Sequence, residues 1–151
     1  MTNVVDLRLE KILTSELEQS SVRQLKILCR KSTGEQLKIF DNDYIILCKH
    51  NSNVIGMCCI AKKSPEAHFE NEKDREIPYL YNYICDKKHK KKKPSVAIMN
   101  FIKQDADEIN LDVLTGNDIA IKFFEKNNFV RKGIYNQRIK SFIMYTFQKT
   151  L

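Results

Sequence analysis

An α+β fold is predicted for this chain, and three observations predict it. Apolar segments of strand length alternate with stretches whose apolar residues recur at helical spacing, in the order β-α-β-β-β-α-β-α-β-β. The 151 residues, 42% apolar and 30% charged, suit one domain, residues 1–151, whose core is large enough to stand without staples. The stretch Asn110–Tyr135, NLDVLTGNDIAIKFFEKNNFVRKGIY, reads as strand, turn, amphipathic helix and strand in immediate succession.

Each element has its own local reason. Val4–Leu13 alternates loosely and forms a first strand. Ser21-Val22-Arg23-Gln24 matches a capping box, after which Val22, Leu25, Leu28 and Cys29 give an apolar helical stripe that Gly34 stops. Asp43–Lys49 and Val54–Ala61 are apolar segments separated by His50-Asn51-Ser52-Asn53, a β-hairpin in which asparagine accepts left-handed turn angles. Ser64–Glu76 is a polar loop with acidic residues in excess, and Tyr79–Cys85 beyond Pro78 has strand character. Pro94 suits the first turn of a helix, whose buried face is Ile98, Phe101, Ile102 and Ile109. Leu111–Leu114 is a strand, and Ile119, Ala120, Phe123 and Phe124 form one face of the helix that starts at Asn117. Phe129–Tyr135 and Ser141–Phe147 are the last strands.

Composition narrows the function classes. No apolar run approaches the roughly 20 residues of a membrane helix. The N-terminal MTNVVDLRLE has no apolar core and does not read as a secretory signal. The expected setting is therefore intracellular, cytoplasmic or nuclear, with no membrane partner. Five cysteines, Cys29, Cys48, Cys58, Cys59 and Cys85, are odd in number, sit in apolar runs and lack zinc-knuckle spacing. They read as reduced core thiols and no metal is expected, although Cys58, Cys85 and His89 are a set that a zinc site could draw on. The formal charge of +7 comes largely from lysine, and only four residues are glycine. Abundant Lys, Asn and Ile suit an A/T-rich genome, such as that of some viruses, parasites or low-GC bacteria.

The pattern N-x-x-A-x-x-F-F-x-x-x-N-F from Asn117 to Phe129 resembles the second signature of the GNAT acyl-CoA N-acyltransferases, N-x-x-A-x-x-F-Y-x-x-x-G-F. The element order is also that of GNAT domains, so the resemblance covers nearly the whole chain. It implies a mixed, mostly antiparallel central sheet of about seven strands flanked by helices. It implies splaying of that sheet between Tyr79–Cys85 and Leu111–Leu114, and acyl transfer from acetyl-CoA to an amine on a protein or small molecule.

The same resemblance assigns a donor site. Backbone groups of Tyr83, Ile84 and Cys85 would hold the pantetheine arm and the thioester carbonyl, and Asn117 would hydrogen-bond the arm. The pyrophosphate loop, Q/R-x-x-G-x-G/A, falls on Lys90, Lys91, Lys92, Lys93, Pro94 and Ser95. Its physics is general, since unpaired amides at a helix N-terminus and the helix dipole bind anions. Lys90 supplies the basic position and Ser95 a small residue, but Lys93 stands where the first glycine belongs. Lysine does not reach positive φ cheaply, though its ammonium still contacts phosphate as a point charge. Asn128 replaces the glycine before Phe129, and asparagine tolerates the left-handed conformation of a helix end.

Phe124 is the other departure, because many relatives carry a tyrosine here that protonates the departing thiolate. Tyr81, Tyr83 and Tyr135 are the hydroxyls expected to substitute, Tyr83 foremost. Glu76 and Asp86, just before and after the fourth strand, are the carboxylates nearest to it and the candidates for the base that deprotonates the amine. Each also reads as a solvated strand-end charge. Lys87-Lys88-His89-Lys90-Lys91-Lys92-Lys93 admits three readings: a modified phosphate loop, a nuclear-import or nucleic-acid patch, or a solvated cluster. Two functions follow, an active N-acyltransferase or a catalytically inactive binding or assembly module that contacts nucleic acid or a partner protein through the lysine run.

Overall fold

The computed structural model describes residues 6–61 and 77–149. Residues 1–5, 62–76, 150 and 151 lie outside the described residues, and with them Glu76 and the whole of the expected polar loop Ser64–Glu76. Seven strands form one sheet in the order β1-β2-β3-β4-β5-β7-β6. The strands are Arg8–Leu13 (β1), Tyr44–His50 (β2), Asn53–Ala61 (β3), Tyr79–Cys85 (β4), Glu108–Leu114 (β5), Val130–Gln137 (β6) and Lys140–Gln148 (β7). The helices are Gln19–Thr33 (α1), Pro94–Asp105 (α2) and Asp118–Lys126 (α3). Every registered pairing is antiparallel except that of β4 with β5. Among the described residues, no helix is long and apolar enough to cross a membrane. Two compact units divide the chain, with β4 passing from the second into the first between Tyr81 and Asn82.

The first unit, Met1–Ala61 with Asn82–Asp105, carries β1, β2, β3 and the end of β4. Ile45 to Cys48 on β2 and Val54 to Cys59 on β3 are buried consecutively rather than alternately. A strand reads that way when both of its faces are covered, and both α1 and α2 pack on β3. Cys29, Cys48, Cys58 and Cys59 are buried and free, filling core space as small apolar groups. The β2–β3 turn places Asn51 (φ 50°) and Ser52 (φ 70°) in left-handed angles, the two-residue turn whose twist matches the strands. Gly34 ends α1 at φ 74°, with its amide on the Arg30 carbonyl at 2.8 Å.

The capping box expected at Ser21–Gln24 does not form. The helix starts three residues earlier, at Gln19, Glu18 is the N-cap, and no side chain caps it. Ser21 is buried inside the helix, and the Gln24 Oε1 instead accepts the Val54 amide at 2.7 Å. That amide follows a register shift between Cys48 and Lys49, where the ladder leaves a donor for a side chain to satisfy.

The second unit, Lys62–Tyr81 with Ala106–Leu151, contains β5, β7, β6 and the start of β4. Here burial alternates. Ile109, Leu111 and Val113 on β5 and Ile143, Tyr145 and Phe147 on β7 are buried, and Asn110, Asp112, Phe142 and Met144 are half-buried. Phe124 on α3 meets the buried side through Phe129 at 5.5 Å and Phe129 meets Phe147 at 5.6 Å between ring centroids. Ile119, expected on the buried face, is 83% exposed. It lies about 140° round the helix from Phe124, so the two cannot share the core, and the aromatic stack fixes the rotation.

Candidate active site

In the first unit, the end of β4 turns into α2 through the lysine run. Asn82 interrupts the strand at φ 51°, and its Nδ2 donates to the Lys38 carbonyl at 2.7 Å. The Asp86 amide returns to the Ile55 carbonyl at 2.8 Å. Asp86 then caps a 3-10 segment, Lys87–Lys92, by accepting the Lys88 amide at 3.0 Å. A kink at His89 (φ −109°, ψ 20°) divides that segment.

Lys93 follows at φ 55°, ψ 52°, a left-handed conformation. The residue at the expected glycine position therefore takes a glycine backbone. Its cost, about 1–2 kcal/mol for a residue with a Cβ, is borne by the surrounding structure. The first helical hydrogen bond of α2 runs from the Ala97 amide to the Lys93 carbonyl at 3.1 Å. Pro94 has no N–H, so the amides of Ser95 and Val96 are the donors that the first turn presents.

Two further contacts hold this corner. The Tyr83 hydroxyl donates to the Ser95 carbonyl at 2.5 Å, tying β4 to the first turn of α2. Burial pushes that hydroxyl well above the ordinary tyrosine range, with nearby thiols adding to the effect. Gly56 on β3 lies beneath: a Cβ there would meet Ile98 Cδ1 at 3.1 Å, Cys85 Sγ at 3.2 Å and Pro94 Cβ at 3.3 Å. Its hydrogen atom is what lets α2 start this close to the sheet.

The expected site residues fall as follows. Ile84 is buried, Tyr83 and Cys85 are half-buried, Ser95 and Lys92 are half-buried, and Lys90, Lys91 and Lys93 are exposed. Burial, then the neighbouring Cys48, pushes the Cys85 thiol up to about 12, so it stays protonated and unreactive at neutral pH. Burial raises the Asp86 carboxyl, but the Lys88 amide together with Lys31 at 3.5 Å and His89 at 3.4 Å outweigh it and hold it below the ordinary value. Asp86 thus sits in a cap and an ion pair with Lys31 that favour its charged form. Among the described residues, no group of three or more His, Cys, Asp or Glu side chains could hold a metal, so Cys58, Cys85 and His89 do not form one.

In the second unit, Asn117 caps α3 by accepting the Ala120 amide on Oδ1 at 3.2 Å. It lines a shallow groove of about 610 Å³ together with Leu114, Thr115, Gly116, Ile139, Lys140 and Ser141. At the other end, Asn128 (φ 71°) donates to the Glu125 carbonyl at 3.1 Å and Phe129 to the Phe124 carbonyl at 3.0 Å. These bonds and the Phe124–Phe129 contact make a Schellman motif. Phe124 is 6% exposed and serves as its apolar clasp.

Sequence reasoning missed two residues. One is Gly56, for which the signal was a glycine inside an otherwise apolar strand. The other is Asp112 on β5, half-buried, which accepts the Tyr135 hydroxyl at 2.7 Å and the Tyr79 hydroxyl at 3.0 Å. Tyr79 and Tyr81 stack at 6.4 Å, and Tyr135 and Phe142 at 5.3 Å. An acid within the strand pattern Ile109-Asn110-Leu111-Asp112-Val113 was its signal.

The sequence model of the Acetyltransferase (GNAT) family matches residues 9–129. The chain belongs to that family. No curated protein matches it by sequence. Among solved structures, this GNAT chain is similar to a GNAT-family acetyltransferase from Bacillus cereus, with a TM-score of 0.71 at 13% identity, over 97% of this chain and 99% of the other. The ribosomal-protein-S18-alanine N-acetyltransferase from Escherichia coli gives 0.69 at 11% identity, over 97% and 96%. An acyl-CoA N-acyltransferase from Pseudomonas aeruginosa gives 0.68 at 8%, over 94% and 99%. At these identities the likeness is one of fold.

Proposed function

We propose that this GNAT-family chain transfers the acetyl group of acetyl-CoA to an amine by direct attack on the thioester. The observation that carries the reading is Lys93: a lysine held left-handed at the start of α2 preserves the loop conformation that glycine otherwise supplies. The amides of Ser95 and Val96 take the pyrophosphate, and Lys90, Lys91, Lys92 and Lys93 add ammonium charge. The backbone of Tyr83, Ile84 and Cys85 steadies the thioester carbonyl as its oxygen gains charge, and the Asn117 amide holds the pantetheine arm.

The amine nitrogen bonds to the carbonyl carbon, the carbon–sulfur bond breaks, and CoA leaves as a thiolate that takes up a proton. We assign the proton lost by the amine to Asp112, whose two tyrosine partners orient the carboxylate. Asp86 is the weaker candidate, because the Lys88 amide and Lys31 hold its carboxyl below the ordinary value and so make it a weaker base. Tyr83 is a poor acid while its proton lies on the Ser95 carbonyl.

One observation favours the second reading, an inactive binding module. Phe124 offers no hydroxyl, and its ring belongs to an aromatic core. Calorimetry with acetyl-CoA and with free CoA, paired with an assay of thiol release over a panel of amines, separates the two. Saturable donor binding with amine-dependent thiol release supports the enzyme. No binding at millimolar donor removes it, and binding without release on any amine leaves the module.

A further inference from the structure

The lysine run carries more charge than a donor loop uses, and its backbone sorts that charge. A 3-10 segment has three residues per turn and rises about 2 Å per residue, so side chains three apart eclipse. Exposure follows that period on both sides of the His89 kink: Lys87, Lys88, Lys90 and Lys91 are exposed, whereas His89 and Lys92 are half-buried. The exposed lysines therefore fall in two pairs, Lys87 with Lys88 before the kink and Lys90 with Lys91 after it. Lys93 adds another exposed ammonium at their end.

Among the described residues, no acid pairs with these lysines. Asp86, the acid at their base, is occupied by its cap, by Lys31 at 3.5 Å and by His89 at 3.4 Å. Lys31, in the last turn of α1, is the cation that answers Asp86 at the base of the run.

We propose that the two exposed lysine pairs bind the phosphodiester backbone of a nucleic acid without reading its sequence. Ammonium groups on flexible stems suit phosphates as point charges, and the run's one aromatic ring, His89, is half-buried beside the His50 ring at 6.4 Å rather than presented to a base. The run also lacks an apolar side chain to enter a lipid headgroup layer or to anchor a protein interface. The proposed donor site also draws on the ammonium groups of Lys90 to Lys93, so Lys87 and Lys88, which it does not use, are where the two functions separate.

The test is fluorescence anisotropy of the full chain with a labelled uridine homopolymer and a mixed-sequence RNA of equal length, across a salt series. Four phosphate contacts on a single strand give a slope of log affinity against log salt of about −3. Lys87→Gln with Lys88→Gln, which spares every residue assigned to the donor, is expected to halve the slope. The same pair weakens binding about 25-fold at 0.1 M salt, about fivefold per lost contact. Circular dichroism and acetyl-CoA calorimetry on that double variant are expected to match the parent. Absence of RNA binding at low salt overturns the proposal, as does a double variant that binds as tightly as the parent. Equal or tighter binding of polyglutamate or of anionic phospholipid vesicles overturns it in favour of another class of partner. A strong preference between the two RNAs also overturns it.

Discussion

Lys93 and Asn128 occupy the same backbone conformation in different units, and they reach it in different ways. Both stand where the GNAT signatures have glycine, and both have positive φ, 55° and 71°. Asn128 is a residue that visits this region readily, and a Schellman motif with a ring contact holds it there. Lys93 has no such propensity. It is held by its own amide on the Lys90 carbonyl at 3.0 Å and by the start of α2, whose first hydrogen bond ends on its carbonyl. What the family's glycines specify is therefore a dihedral angle, and a surrounding structure can impose that angle on a residue that resists it.

The sharpest way to separate the two regions is Asp112→Asn on β5 of the second unit. Transfer is expected to fall by 10²–10⁴, the usual worth of a general base, while donor affinity is unchanged. Steady-state kinetics with calorimetry reads both, and a variant with unaltered kcat removes Asp112 from the chemistry. Phe124→Ala comes next. Loss of a core ring that clasps the helix end is expected to cost about 3–5 kcal/mol in urea unfolding. A cost under about 1 kcal/mol would mean that the stack does not hold Asn128 in place.

On the loop side, Gly56→Ala is expected to destabilise by about 1–3 kcal/mol and to weaken acetyl-CoA binding, because the new methyl meets Ile98, Cys85 and Pro94. Unchanged stability would show that α2 yields easily. Lys93→Gly is expected to gain about 1 kcal/mol, the relieved strain being partly offset by glycine's entropy. Asn128→Gly is expected to change stability less, and a larger gain there than at Lys93 would break the comparison.

The smallest effect at neutral pH concerns the thiols. Burial pushes Cys85 up to about 12 and Cys48 up to about 11 from an ordinary 9.0. Below the unfolded value both states hold the proton and stability is insensitive to these groups. As pH rises past about 9 the unfolded chain loses protons that the folded chain keeps, so stability falls until the folded values are passed. Urea midpoints from pH 7 to beyond 9 check this, and alkylation of the folded chain at pH 8 is expected to be far slower than that of a free thiol.

Much of the fold was legible because it rests on local rules. Hydrophobic period placed the seven strands and three helices of the described residues to within a few residues, although Ile109, expected on the buried face of α2, lies on β5. Turn chemistry placed Gly34, Asn51 and Asn128 at left-handed angles. A short spaced pattern, Asn117 to Phe129, was enough to indicate the family, since its residues serve one helix and its two ends. Tertiary structure decided the rest. Gln24 left its expected cap for a β3 amide, and Ile119 yielded the core to Phe124. Lys93 took a glycine's angle, and Asp112 came to lie between hydroxyls 33 and 23 residues away in sequence. A sequence shows what each segment prefers alone, but which amide lacks an acceptor, which face is already filled and which side chains meet are set only when distant segments pack together.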